Sequence, residues 1–399
     1  MTAGDASVLA NVRLDGDRTV DIVIRDGRIE EIAPDLAEAT PAATRIEGDG
    51  LLALPGLVDG HMHLDKTLTG LAWMGHRAEP DRISRIEKEK ELRGALAPVA
   101  ERAANLVRCC IAHGTTAIRT HVDVDPELGL SHVHALAEVR QRFAGRIDIQ
   151  IVAFPQSGVI RSPGTADLLD AALAEGADLV GGIDPIVIDR DLDGQLDTLF
   201  AIAVRRDVGI DLHLHDAGDA GLAEIIAVCE RTRAAGLEGR ITVSHGFSLG
   251  AATEDAFART ADAMAEAGVS LVTHGGGASP LPPVKALRER GVAVFAGNDD
   301  VRDPWSPFGN GDMLERAMLL AWRSGYRTDD DLAVAFDCAG AAGAAVLGGP
   351  GFGFLGGAVE NGDVEASLRK MPGHGKAHVA EPDKGGFRCT HGGLFRLVR

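Results

Sequence analysis

From residue 51 onward, short apolar runs recur eight times, with helical patterns between most of them, and this rhythm constrains the fold more than any other feature. The runs cover residues 51–58, 116–122, 147–154, 178–183, 208–214, 241–244, 269–273 and 292–296. They are rich in Val and Ile and apolar nearly throughout, as strands buried on both faces should be. The stretches between them (81–112, 166–175, 220–235 and 253–267 among them) carry the 3.6-residue period of amphipathic helices. Alternating strands and helices imply a parallel sheet. Eight repeats over about 250 residues suit a closed barrel. An open, doubly wound sheet would want a G-x-G-x-x-G loop after an early strand, and none is found. The expected fold is therefore α/β, a (β/α)8 TIM-type barrel over residues 51–347.

The segment before the barrel reads differently. Residues 8–14, 19–24 and 28–32 alternate as short strands, with Asp15-Gly16 and Asp26-Gly27 between them as hairpin turns. Residues 1–50 are expected to form a small N-terminal β meander domain. Residues 348–399 turn Gly-rich and irregular, without clean strand alternation. We read this tail as altered, through a frameshift or otherwise, leaving the meander's partner strands missing. Resequencing tests that reading, since an unbroken frame removes it.

Bulk composition excludes several function classes. A formal charge of −19 and a single Tyr argue against a nucleic-acid surface, which needs clustered Lys and Arg with stacking aromatics. No apolar run approaches a membrane span, and Met1-Thr2-Ala3-Gly4-Asp5 is no signal-peptide start. Five Cys without metal-ligand spacing read as reduced thiols of a cytoplasmic protein.

Reactive residues of a barrel enzyme gather where its strands end. Here the runs end in His61-Met62-His63-Leu64-Asp65-Lys66, His121-Val122-Asp123, Phe154-Pro155-Gln156, His213-Leu214-His215-Asp216, His245-Gly246, His274 and Asn298-Asp299-Asp300. Strand side chains repeat every two residues, so His61 and His63 point to one face and make half of a divalent-metal site. A second His-x-His at 213 and 215, a lone His245 and the carboxylate of Asp299 lie where a barrel would bring them together. His121, Asp123 and His274 are as readily polar rim residues as substrate contacts. His76, His113, His132 and His134 read as surface or packing residues.

Pro55-Gly56-Leu57-Val58-Asp59-Gly60-His61-Met62-His63 resembles the first-strand signature of the amidohydrolase superfamily. Arg119-Thr120-His121-Val122-Asp123, Gln150 to Gln156 and Asp299 to Trp305 are similar to its cytosine deaminase branch. The resemblance spans residue 8 to about residue 347. It implies a hydrolase that removes an amino or alkylamino group from a nitrogen heterocycle, with one divalent metal, zinc or iron, bound per chain. By position the metal ligands would be His61, His63, His213 and Asp299. His245 would polarise the attacked carbon or the water, while Gln156, Asp300 and Trp305 would face the substrate.

The chemistry agrees with those roles. A divalent ion lowers the pKa of bound water from 15.7 to roughly 7, giving the attacking hydroxide. Asp299 could take the water's proton and pass it to the leaving nitrogen, and His245 could stabilise charge in the tetrahedral state. Three imidazoles and a carboxylate suit zinc or iron better than magnesium or calcium.

One departure points within the family. Cytosine deaminases place a Glu three residues after the strand-5 His, where it shuttles a proton to the ring nitrogen; this chain has Asp216 there, one methylene shorter, as a candidate catalytic residue. They lack a His at the position of His215. By alternation His215 shares the inward face of His213, while Asp216 faces away unless the strand has ended. His61-x-His63-x-x-Lys66 with His213-x-His215 is more similar to the N-isopropylammelide isopropylaminohydrolases, which remove an alkylamine from a triazine ring. That resemblance implies Lys66 and His215 in the site, with a lysine cation orienting a carbonyl-rich ring.

Two alternatives stand beside this reading. Cyclic amide hydrolases of the dihydroorotase type bridge two metals with a strand-4 lysine, but strand 4 here, 178–185, contains none. A catalytically impaired pseudoenzyme is the other, should the altered tail have cost the chain its activity. Base-flipping zinc deaminases need Cys-x-x-Cys, which is absent. The expected partner is a small heterocycle, with no nucleic acid and no membrane, and a homo-oligomer is left open.

Overall fold

The computed structural model describes residues 6–14, 18–25, 28–75, 79, 81–348 and 395–398. The chain divides at Gly56 into two compact units.

The first unit is a mixed sheet. Strands β1 (Ala6–Arg13), β2 (Thr19–Arg25) and β3 (Arg28–Ala33) form the antiparallel meander read from the alternation. The two turns between them, at 15–17 and 26–27, lie outside the described residues. Strands β4 (Thr44–Glu47) and β5 (Leu52–Pro55) both pair parallel with β1. One face of the sheet packs Leu9, Val12, Val20, Ile22 and Ala53 together. The other packs Val8 and Val23 against Leu36.

Two expectations need correction here. The apolar run 51–58 is not one barrel strand, because it breaks at Gly56 and its first half, β5, belongs to the small sheet. An uninterrupted apolar run does not show a change of sheet. Nor are the meander's partner strands all missing from the tail, since Phe395–Val398 pairs antiparallel with β5. Residues 349–394 lie outside the described residues, and with them most of the segment read as altered.

The second unit is the expected barrel. Its strands are β6 (Leu57–Met62), β7 (Thr115–Asp123), β8 (Asp148–Phe154), β9 (Leu179–Ile183), β10 (Gly209–Leu214), β11 (Ile241–His245), β12 (Ser270–Thr273) and β13 (Val294–Ala296). They pair in chain order, all parallel. Among the described residues one more strand, β14 (Phe395–Val398), lies in the small sheet. The last barrel strand is only three residues long. Between β6 and β13 the ring closes just beyond that strand, through a parallel bridge from Met62 to Asp299, with the Asp299 N–H donating to the His61 carbonyl at 2.7 Å. Gly297 lies against the His61 backbone, where a Cβ would collide with it, so this approach requires glycine.

The barrel interior carries a polar layer below the site. The Arg119 guanidinium donates to Asp211 at 2.9 Å, Thr242 at 3.0 Å and Gln150 at 3.0 Å. Buried polar groups persist when each finds a partner, and here three strands are tied to β7 through one cation.

Candidate metal and substrate site

The strand ends of the barrel bring five of the anticipated residues together. The Nε2 atoms of His61 and His63 lie 3.2 and 3.4 Å from Asp299 Oδ1. His213 Nε2 lies 3.3 Å from His63 Nε2. His245 approaches the same cluster, its ring centroid 4.9 Å from that of His61 and 5.1 Å from that of His213. All four imidazoles are buried.

Two of these placements come from backbone that a regular strand would not adopt. On β11, Thr242 and Ser244 both point inward to the polar layer, so alternation would turn His245 outward. Its φ of 73° breaks the alternation, and its ring stacks on His215 at 4.2 Å. Asp299 has φ 62° at the closure bridge. Left-handed backbone at non-glycine residues costs about 1–3 kcal/mol and clusters at functional sites.

The donor set fits a divalent ion. Ligand bonds of about 2.0–2.1 Å in a tetrahedral site place ligand atoms about 3.3–3.4 Å apart, close to the spacing of His61 and His63 from Asp299 and of His213 from His63. The tautomer of His61 agrees. Asp211 is a carboxylate: burial would raise its pKa, but His121 and Arg119 outweigh burial and hold it well below its usual range. It can only accept, so the Ser244 hydroxyl donates to it at 2.6 Å. The Ser244 oxygen then accepts from His61 Nδ1–H at 2.9 Å. That leaves a lone pair on His61 Nε2, buried without a hydrogen-bond partner among the described residues and aimed at Asp299. A hydrogen-bond partner on the far ring nitrogen fixes the orientation of a ligating histidine. Burial, then Lys66, lowers the His63 pKa, and burial with the neighbouring rings lowers His213 far more, so both are neutral and able to ligate.

Besides His61–His63–Asp299, three clusters among the described residues come within ligand reach: His61–His213–His245, which shares two of these histidines, and two that fit less well. In His61–His121–Asp211, the carboxylate is already engaged by Arg119 and Ser244. In His245–His274–Asp299, the Gly276 N–H donates to His274 Nδ1 at 3.1 Å. The neutral His274 ring therefore carries its proton on Nε2 and presents a donor rather than a lone pair.

Beside the donors opens a cavity of about 850 Å3, bordered by His215, His245, His274, Asp299, Asp300 and Trp305 among others. His215 Nδ1 lies 2.9 Å from the buried Asp184 carboxylate, which also accepts its backbone N–H at 2.6 Å. Arg82 pairs with Asp184 at 2.7 Å and with Asp216 at 3.2 Å. Asp216 does not border the cavity. It pairs with Arg82 and meets Glu224. Burial and the Asp216 charge push the Glu224 carboxyl up to about 9, so one proton serves both. Burial and the nearby Asp303 and Asp299 charges likewise push Asp300 well above the carboxylate range.

Lys66 and Gln156 are buried but do not border the large cavity. They meet at Glu89, on the helix Arg82–Arg93. Glu89 Oε2 receives the Trp305 indole N–H at 2.5 Å, the Gln156 amide at 2.8 Å and the Lys66 ammonium at 3.4 Å. Lys66 also bonds Gln156 Oε1 and pairs with Asp123 at 3.1 Å. Burial would neutralise Lys66, but the Asp123, Glu89 and Asp65 charges outweigh it and keep the ammonium protonated.

Sequence reasoning missed Glu89, Asp184, Ser244 and Asp211. Glu89 reads as the solvated face of an amphipathic helix. Asp184 follows its strand as a candidate turn residue. Only the inward parity of Ser244 and Asp211 on their strands hints at a role.

The Amidohydrolase family profile matches residues 46–348. N-isopropylammelide isopropyl amidohydrolase from Pseudomonas sp. (strain ADP) is 32% identical over 340 residues, 83% of each chain. The crystal structure of N-isopropylammelide isopropylaminohydrolase from Burkholderia multivorans ATCC 17616 superposes with a TM-score of 0.83, at 44% identity over 88% of both chains. That of 5-methylcytosine deaminase from Klebsiella pneumoniae with 5-fluorocytosine gives 0.73, at 27% identity over 86% of both. A chain with this barrel, these histidines at its strand ends and these relatives belongs to the amidohydrolase family.

Proposed function

We propose that the protein hydrolytically removes an amino or alkylamino group from a nitrogen heterocycle, using one zinc or iron held by His61, His63, His213 and Asp299. The observation that carries this reading is the run of close donor contacts beside the large cavity, with His61 and His63 Nε2 at 3.2 and 3.4 Å from Asp299 Oδ1 and His213 Nε2 at 3.3 Å from His63 Nε2. A divalent ion there supplies Lewis acidity and acidifies a water.

The chain's own groups do the rest. Asp299 takes the proton of the attacking water. His215 is held by Asp184 with its Nδ1–H toward the carboxylate, so its Nε2 lone pair accepts that proton from Asp299. It delivers that proton to the leaving nitrogen, in the role that Asp216, turned toward Arg82, is not placed to fill. His245, stacked on His215, stabilises charge that develops at the attacked carbon. Trp305 and Asp300 border the heterocycle. Lys66 stands behind Trp305 in the Glu89 cluster, held there by Gln156, and its fixed cation favours a ring rich in carbonyl oxygens.

The identity to an isopropylaminohydrolase over most of both chains supports an aminotriazine substrate, and the 5-methylcytosine deaminase likeness supports simple deamination as the second reading. Elemental analysis and amine release on one preparation test both, with cytosine, isocytosine, ammelide and N-alkyl ammelides as the panel. About one zinc or iron per chain with amine release is expected. Folded protein that takes up neither metal and releases no amine refutes the proposal.

A further inference from the structure

We propose that Glu89 is a positioning residue that sets substrate specificity, because it fixes Trp305 as a wall of the cavity and holds Gln156 in a single orientation against Lys66. This rests on the reading of the cavity as a heterocycle site.

The convergence of three donors on one oxygen motivates it. Trp305 Nε1, Gln156 Nε2 and Lys66 Nζ all reach Glu89 Oε2, and the residue is buried. An ammonium can only donate and a carboxylate can only accept. Gln156, bonded to Lys66 through Oε1 and to Glu89 through Nε2, therefore has one admissible amide orientation. Trp305 borders two cavities, the large one beside His245 and another of about 430 Å3 lined by Met74, Leu92 and Pro304 together with Arg85, Lys88 and Glu89. Its ring, with Arg85, thus forms the partition between the two spaces. The hydrogen bond from its indole to Glu89 decides where that partition stands.

The charged groups facing Glu89 are Lys66 from the loop after β6, Asp123 from β7, Arg93 from its own helix and Arg102 from the helix Val99–Ala112. The loop after β13 contributes Trp305, a neutral donor. Burial pushes the Glu89 carboxyl up; Lys66 opposes this and Asp123 adds to it, and the outcome is about 7. The carboxylate that makes the clamp is thus complete above neutrality and is lost below it.

The test uses the full metal-loaded chain and two readouts. Tryptophan emission is titrated from pH 6 to 8 in wild type, Glu89→Gln and Trp305→Phe. We expect a transition near pH 7 in wild type that both variants lose. The KM for amine release should rise by about tenfold in Glu89→Gln at pH 8, since hydrogen bonds to a charged group weaken when the charge goes. It should also rise in wild type as pH falls through 7, with kcat moving much less. A transition that persists in Glu89→Gln, or a pH-dependent KM that survives there, overturns the proposal. If no substrate is turned over, the heterocycle reading fails by itself, while emission still reports whether Glu89 holds Trp305.

Discussion

Replacing Ser244 with Ala tests the logic of the donor cluster more directly than removing a ligand does. In the native protein the Ser244 hydroxyl donates to Asp211 and accepts from His61 Nδ1–H, with distances of 2.6 and 2.9 Å. Alanine removes the acceptor in a place fully shielded from water. Without metal, His61 can respond by moving its proton to Nε2, 3.2 Å from the Asp299 carboxylate, so the metal-free protein should keep its melting temperature within a few degrees. With metal, Nε2 must be bare, and an Nδ1–H is left buried without a partner. An unmet buried donor costs about 1–3 kcal/mol. Each factor of ten in affinity corresponds to about 1.4 kcal/mol. The metal Kd should therefore rise about 10–100-fold, in line with the usual effect of removing an outer partner of a ligating histidine. Competition against a chromophoric zinc chelator measures it. A Kd within about threefold of wild type would refute the tautomer argument, and with it the assignment of His61 Nε2 as a ligand atom.

Three further outcomes follow from the same geometry. Asp184→Asn leaves His215 without a fixed tautomer, so kcat for amine release should fall by about 100-fold or more with metal content unchanged; an unaltered kcat removes His215 as proton carrier. Glu224 holds a proton in the folded state up to about pH 9, against an ordinary value of 4.5. Its stabilising contribution is complete below pH 4.5 and declines as pH rises toward 9, so Glu224→Gln, which still donates to Asp216, should melt progressively above wild type between pH 5 and 9. Parallel melting curves would show that the proton is not there. Gly297→Ala places a methyl against the His61 backbone, and stoichiometric metal uptake with an unchanged melting temperature would contradict the tight closure described for β6 and β13.

Much of the barrel and of the candidate donor cluster is legible in the sequence because both depend on local period. His61 with His63, and His213 with His215, need only strand parity, and each pair does share a face. The approach of His245 could be guessed from its strand end but not from parity, because its left-handed backbone reverses what Ser244 would dictate. Glu89 and Asp184 were illegible for a different reason. Their partners lie far away in the chain, at Gln156 and Trp305 for one and at Arg82 and His215 for the other. A lone acidic residue in a helix or after a strand carries no mark of such company. The break at Gly56 escaped notice because hydrophobicity reports burial and not which sheet does the burying. Four residues of strand, 395–398, are too short to stand out in a Gly-rich tail.

Asp299 contributes a side chain to the donor cluster and a backbone bridge to the barrel's weakest joint, next to a strand of three residues. Occupancy of the cluster and integrity of the seam are therefore thermodynamically linked. A cation that pulls His61 and Asp299 together also secures the hydrogen bond between their main chains. Local openings, which begin where few bonds hold an edge, should start at β13 when the cation leaves. Amide exchange across residues 294–300 thus reports metal loading without any substrate, and the barrel serves as its own occupancy gauge.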